Sequence, residues 1–274
     1  MTVHHARNVD STFFQTSPLH LCSYLPDRAA RLSYVAIDTH DHIENSLYSH
    51  LVEQGYRRSG DIIYRPECMH CRQCIPTRIP LQHFKMSRRF RKVLKRNPDV
   101  ITNTIPSSHA TSEHFSLYGT YITERHADGD MYPPSLHTFE KFLCHSITDT
   151  FFIEFRESSG QLIAVAVTDR LNNGLSSVYT FFETQMTYQQ RSLGIYSILQ
   201  QIELAKALQL QYLYLGYWIP SVKKMRYKAD FYPIELFINQ QWQYFEQTPD
   251  SDTILEILNT TPIKNKTQSK NMSD

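Results

Sequence analysis

The sequence predicts an α+β protein in two parts with a polar tail, and three observations support that prediction. Stretches of helical spacing and stretches of strand character are both present along the 274 residues. Three closely spaced cysteines and most of the positive charge fall in the first part. The second part has a different grammar: three consecutive strands separated by hairpin turns, then a long helix. The divisions fall at 1–104, 105–247 and 248–274. A chain of 274 residues suits two compact domains. With 41% hydrophobic residues, 17 Tyr and 15 Phe, both can bury a core.

Composition also narrows the function classes. Eight glycines argue against a glycine-loop nucleotide binder or a propeller. The first twenty residues lack the apolar core of about 7–15 residues that a secretory signal needs. No stretch approaches the roughly 20 apolar residues of a membrane span, so a cytoplasmic protein without a membrane partner is expected. Five cysteines, three of them bunched, do not form a secreted disulfide framework. The net charge of +1 conceals an asymmetry: residues 56–96 carry twelve Lys and Arg against Asp61 and Glu67. A basic field of this kind suits phosphates or carboxylates.

In chain order, residues 1–30 read as mostly irregular, broken by Pro18 and Pro26. The stretch 44–56 is helical through Leu47, Leu51 and Val52 and stops at Gly55. A turn and short strand at 57–66 lead into the cysteine loop, and 77–84 is extended. Ser87 is the N-cap of a helix over 88–96, with Phe90, Val93 and Leu94 as its apolar stripe. Residues 102–114 read as a linker. Two helices follow, one carrying Phe115, Tyr118, Tyr121 and Ile122, the other at 136–146. Strands at 151–157, 161–171 and 176–183 are joined by Ser159-Gly160 and Asn172-Asn173-Gly174 turns. A helix with Ile195, Leu199, Ile202 and Ala205 on one face comes next. It leads to a strand at 211–218, a short basic helix, and a final strand pair. From about Thr248 the chain is polar, and 265–274 is expected to be disordered.

That order of the second part resembles the N-acetyltransferase-like (GNAT-like) fold. In that fold an Arg/Gln-x-x-Gly-x-Gly/Ala loop opens the helix, and its backbone N–H groups hold anions. Here the loop is Arg191-Ser192-Leu193-Gly194-Ile195-Tyr196. Tyr196 stands where a small residue would let a cofactor pass, which argues against ordinary CoA.

Cys68, Cys71 and Cys74 leave three readings open. A structural zinc site needs four ligands, so the fourth would be His70, Cys22 or Cys144. A ferredoxin-type run would place its fourth cysteine at 78, where this chain has arginine. Buried cysteines without a permanent metal are the third reading.

Several stretches together carry a family resemblance: "CSYLPDR", "RRSGDIIYRPECMHCRQCIPTRIPLQHFKMSRRFRK", "ERHADGDM", "SSVYTFFE", "RSLGIYSILQQIELAKAL", "YLYLGYW" and "KMRYKADFYP". In this order they resemble the bacterial aspartate/glutamate leucyltransferases, relatives of the eukaryotic arginyl-tRNA–protein transferases. Leu25 replaces the second cysteine of the eukaryotic N-terminal motif. The resemblance implies transfer of leucine from leucyl-tRNA to proteins or peptides with N-terminal Asp or Glu, marking them for degradation by the N-end rule pathway. Arginyl-tRNA as donor is the alternative within the fold. A metal-containing nucleic-acid-binding protein is the alternative outside it.

The resemblance directs attention to particular residues. An activated ester mainly requires positioning and a neutral amine, so Glu124, Asp128 and Glu183 are candidate bases. Tyr179 and Tyr217 are candidate proton donors to the leaving ribose oxygen. Arg57, Arg58 and above all Arg78 are candidate forks for the acidic N-terminus. Arg88, Arg89, Arg91 and Lys92 would track tRNA phosphates, and Arg191, Ser192, Leu193 and Gly194 the acceptor end. No cofactor is required for this chemistry. If a structural zinc or iron–sulfur cluster is present, Cys22, Cys68, Cys71 and Cys74 are its candidate ligands.

Overall fold

The structure, a computed structural model, describes residues 14–38 and 42–260. The N-terminal part holds β1 (Gln15–Thr16), a small hairpin β2 (His20–Leu21) and β3 (Ala29–Ala30), and β4 (Leu32–Ala36). It continues with α1 (Asn45–Glu53), β5 (Arg57–Ser59) and β6 (Ile62–Pro66). A four-stranded sheet forms in the order β1-β4-β6-β5. The next elements are β7 (Ile75–Pro80), α2 (Arg88–Lys95), β8 (Ile101–Pro106) and α3 (Ser112–Arg125). After them come α4 (Leu136–Phe139, prolonged by a π-turn to Cys144), β9 (Thr150–Arg156), β10 (Leu162–Arg170) and β11 (Gly174–Phe182). The remainder comprises α5 (Met186–Gln189), α6 (Leu193–Ala207), β12 (Tyr212–Trp218), a 3₁₀ segment Lys223–Asp230, β13 (Ile234–Ile238), β14 (Gln241–Phe245) and α7 (Ser251–Thr260).

An eight-stranded sheet in the order β14-β13-β7-β12-β11-β10-β9-β8 dominates the protein. Its inner strand β10 is buried from Leu162 to Asp169, a near-continuous apolar run covered on both faces. Val165 and Val167 pack with Leu117, Tyr118 and Ile122 of α3, while Ala164 and Ala166 pack with Leu199, Ile202 and Ala205 of α6. Helix α2 forms as its sequence predicts. Ser87 accepts the Phe90 N–H at 3.2 Å, and Phe90 and Val93 are buried.

Three expectations are corrected. The stretch read as a linker contains β8, paired with β9 from Ile101↔Arg156 to Pro106↔Phe151, so the boundary at 104/105 falls inside a strand. Its residues are polar because β8 is an exposed edge strand, and polarity read as a loop. Strand β7, from the cysteine-bearing half, lies buried between β12 and β13, so the first half contributes a central strand to the second half's sheet. The stretch from 248 is no unstructured tail as far as residue 260. In α7, Ile254 and Leu258 are buried against Ile75, Trp218 and Leu236. Residues 265–274 lie outside the described residues.

The sheet opens at one place. β11 and β12 run parallel but pair only at Gly174↔Tyr212, Leu175↔Leu213 and Ser176↔Tyr214. At residue 174 the strands are so close that a Cβ would stand 2.5 Å from the Tyr212 carbonyl oxygen. Beyond this point they part: β11 runs on to Phe182, while β12 stays paired with β7 from Tyr212 to Trp218, its register shifting between Tyr214 and Gly216, which holds φ +78°. No helix among the described residues is long and apolar enough to cross a membrane.

Candidate active site

A cavity of about 1540 Å³ fills the gap where β11 and β12 part. β11 contributes Tyr179 and Phe182, followed by Glu183, and the start of α6 contributes Ser192 to Ile195. Leu215 of β12 and Lys223, Lys224 and Lys228 of the 3₁₀ segment form the opposite wall. The N-terminal part closes over it with Ser23, Tyr24 and the Gly60–Asp61 turn.

The loop before α6 is pinned from outside. The Arg191 guanidinium bridges Asp99 at 2.5 Å and Glu157 at 2.9 Å, and Asn97 Nδ2 donates to the Arg191 carbonyl at 2.9 Å. Arg191 is therefore a brace and does not line the cavity, a correction to its expected contact with the acceptor end. Ser192, Leu193 and Gly194 do line it. Ser192 adopts φ 54°, and its carbonyl takes the N–H groups of both Ile195 and Tyr196. The N–H groups of Leu193 and Gly194 have no acceptor among the described residues, the usual state of a helix's first turn. A Cβ at Gly194 would stand 3.2 Å from the Phe182 ring, so the loop and this ring are in close contact. Tyr196 turns away into the core beneath α6, edge-on to Phe155.

Two of the five candidate catalytic residues are well placed. Glu183 is half-buried on the cavity wall, and its buried Oε2 has no hydrogen-bond partner. Burial first, and then the nearby Glu124 carboxylate, raise its pKa above the usual Glu range. Tyr179 lines the wall with an unpartnered buried hydroxyl whose pKa burial raises. Glu124 itself accepts the Thr184 hydroxyl and is off the wall. Asp128 lies at the rim, exposed, its pKa lowered by Lys224 at 3.3 Å, which makes it a poor base. Tyr217 is corrected: its hydroxyl donates to the carbonyls of Gly55 at 2.9 Å and Tyr64 at 3.2 Å, away from the cavity.

The three arginines expected to read an acidic N-terminus all sit in packed interfaces, and two of them are ion-paired there. Arg58 is fully buried against Asp169 at 2.8 Å. Arg78 meets Glu235 at 2.6 Å and lies between the rings of Tyr212 and Trp242. Arg57 donates to the carbonyls of Val52 and Tyr56 and rests on Tyr214 and Tyr217. None lines the cavity, because β5 and β7 turn these side chains into packed interfaces.

The cavity's buried cation is instead Lys228, which the sequence showed only as one residue of a basic stretch. Its Nζ donates to the Tyr217 carbonyl at 2.5 Å, and it has no carboxylate partner among the described residues. Burial, reinforced by the Arg57 charge, pushes its pKa down to about 7. Behind it, Arg57 Nε and Nη2 are buried without partners. Arg125 and Lys223 line the cavity as well, and neither is ion-paired among the described residues.

Outside the mouth, Arg88, Arg91 and Lys92 of α2 are exposed, and Arg89 lines the cavity while pairing with Asp230. Cys22, Cys68, Cys71 and Cys74 are brought together around a second, small cavity of about 30 Å³ with Leu25, Arg28 and Arg72. Burial first, and then the neighbouring cysteines, raise the Cys68 thiol pKa and push that of Cys74 up to about 12. No three His, Cys, Asp or Glu among the described residues are placed to hold a metal ion. The four cysteines share one cavity without the spacing of a ligand set, so no step of the chemistry is placed on a metal there.

Comparison with known proteins adds a family. Residues 20–92 match the family described as "Arginine-tRNA-protein transferase, N terminus", and residues 113–238 the corresponding C terminus. The aspartate/glutamate leucyltransferase of Acinetobacter baumannii (strain AYE) is 45% identical over 247 residues, covering 90% of this chain and 89% of that protein. That of Pseudomonas fluorescens (strain Pf0-1) is 48% identical, covering 84% and 95%. The Saccharophagus degradans protein of the same name is 47% identical, covering 85% and 96%. Among solved structures, the C-terminal domain of a lysylphosphatidylglycerol synthetase from Agrobacterium fabrum matches at 12% identity and TM-score 0.44, covering 82% of this chain and 70% of that one.

Proposed function

The chain belongs to the arginine-tRNA–protein transferase family, and from that premise we propose that it moves leucine from leucyl-tRNA onto the N-terminal amine of proteins beginning with Asp or Glu. The product carries an N-terminal leucine and is thereby marked for degradation.

In this reading the α-amine attacks the leucyl ester carbonyl. A C–N bond forms, the ester C–O bond breaks, and the ribose oxygen leaves as a hydroxyl. A free α-amine has a pKa of about 7.7–8, so a weak base suffices to keep it neutral. Glu183, unpaired and shifted upward, takes the amine proton. The N–H groups of Leu193 and Gly194 receive the developing oxyanion at the mouth of α6. Tyr179 supplies a hydroxyl for the departing ribose oxygen. The exposed cations of α2 hold tRNA phosphates.

The observation that carries the proposal is Lys228: a buried amine on the cavity wall with no acid of its own to pair with. A substrate carboxylate completes that pair. The test offers charged leucyl-tRNA with peptides beginning Asp, Glu, Asn or Ala. Transfer to the Asp and Glu peptides alone is expected, and lost on Lys228→Met. Equal transfer to the Asn peptide would sink the reading.

A further inference from the structure

At the crotch where β11 and β12 part, β12 and α6 line the cavity with no acid. Leu215 is the first residue of β12 beyond the last paired position, Ser176↔Tyr214. Ile198 of α6 and Leu193 at its start meet it there. All three line the cavity although only 2–5% exposed, so they form its floor without projecting into it. The Phe182 ring, packed over Gly194, closes one side. The acids that line the cavity, Asp61, Asp128, Asp130 and Glu183, come from the β5–β6 turn, the loop after α3 and the end of β11; none comes from α6 or β12. Asp61 and Asp128 are already paired, with Lys141 and Lys224.

We infer that Phe182, Ile198 and Leu215 form the seat of the donor's amino-acid side chain and select leucine over arginine. This rests on the leucyl-transfer reading above. Ile198 lies one helical turn beyond Gly194, so a carbonyl oxygen received by the Leu193 and Gly194 N–H groups leaves the attached side chain beside this floor. A leucyl side chain finds apolar walls there. A guanidinium would be stripped of water against a floor that offers it no carboxylate. The unpaired acid nearby, Glu183, stands at the end of β11 and is committed to the amine in the reading above. A buried unpaired charge is strongly disfavoured. Selection against arginine thus comes from the missing acid, and selection against larger apolar side chains from the filled floor.

The experiment offers leucyl-, arginyl- and phenylalanyl-tRNA together in single-turnover transfer to an Asp-starting peptide. Wild type takes leucine over each rival. Leu215→Glu places an acid at the crotch and raises the arginyl-to-leucyl ratio by at least roughly tenfold, and Ile198→Ala raises the phenylalanyl-to-leucyl ratio by a similar factor. Both residues also belong to the core, so Ile198→Val and Phe182→Leu are run alongside; they keep the core nearly filled and shift the phenylalanyl ratio in the same direction. Ratios unchanged within twofold in the folded variants overturn the pocket. If wild type transfers leucine while the ratios stay put, only the pocket fails. If wild type transfers nothing to the peptide, the leucyl-transfer reading fails first.

Discussion

Arg58 and Asp169 form an ion pair of 2.8 Å in which both side chains are fully buried, joining β5 of the N-terminal sheet to β10, an inner strand of the large one. Tyr48 of α1 donates to the same carboxylate at 2.7 Å, and Thr150 also donates to it. Removing either partner strands a charge in the interior, which typically costs about 3–5 kcal/mol. Arg58→Met and Asp169→Asn are expected to lower the denaturant midpoint strongly. The two halves should melt together, because β7 and this pair bind them into one unit. Two separated transitions in the wild type would contradict that.

Arg78 tests the difference between a binding and a structural arginine. It is held by Glu235, the Tyr214 hydroxyl, and the rings of Tyr212 and Trp242. A lysine cannot reproduce the planar fork or the stacking. Arg78→Lys is therefore expected to cost about 1–3 kcal/mol in unfolding free energy while leaving the Asp-over-Asn peptide preference intact. A lost preference at unchanged stability would return Arg78 to substrate binding.

The helices and hairpins were legible because their signals are local. Ser87 caps α2, and the Asn172-Asn173-Gly174 turn joins β10 to β11, as their residue types predict. The misplaced elements depend on pairing between distant parts of the chain. β7 meets β12 and β13 across more than a hundred residues, and nothing at 75–80 announces that Arg78 will be covered by Trp242. Lys228 fails for the same reason. Its surroundings include Gly216 of β12 and the charge of Arg57, neither of which is near in sequence. Glu183 and Tyr179 could be placed beside the splay point because that point follows from the order of elements, and that order is a local property.

Lys228 gives acid recognition a pH dependence whose sign is fixed. Its pKa is about 7 in the fold, against an ordinary value near 10.5. Below about pH 7 it is charged and attracts a carboxylate; above, it is neutral. The Asp-over-Asn ratio in kcat/KM, which reports the free enzyme, should fall as pH rises from 6 to 9. Lys228→Met should abolish that slope. The variant should also be more stable than wild type below pH 7, where the folded protein bears the desolvation cost of the charge. That gain should shrink as pH rises toward 10.5, because in that window the unfolded chain binds the extra proton and wild-type stability climbs. A pH-independent ratio in the wild type would exclude Lys228 as the reader.

The α2 cations make a salt-dependent prediction. Arg88 and Lys92 are exposed, and neither has an ion-pair partner among the described residues. Each phosphate contact contributes roughly −0.7 to −0.9 to the slope of log K against log salt. The double variant Arg88→Ala/Lys92→Ala should weaken leucyl-tRNA binding, flatten that slope by about 1.5, and leave KM for the peptide unchanged. An unaltered slope would place the tRNA on another face.

Glu183 carries the proton in the proposed step, and its environment allows a test sharper than simple loss of activity. Glu183→Gln should lower kcat by about 10²–10³, within the range general-base catalysis supplies, with little change in KM for the peptide. The upward shift of the Glu183 pKa comes first from burial and second from Glu124. The acidic limb of the kcat profile should accordingly lie above the ordinary Glu range, since the base acts only when deprotonated. Glu124→Gln removes the repulsion and keeps a hydrogen-bond acceptor for Thr184, so it should retain most of the activity while moving that limb to lower pH. Glu183 and Glu124 would then be separated by direction as well as size: one variant loses rate across the profile, the other shifts it. A Glu124→Gln limb that stays in place while Glu183→Gln remains active would remove Glu183 from the mechanism.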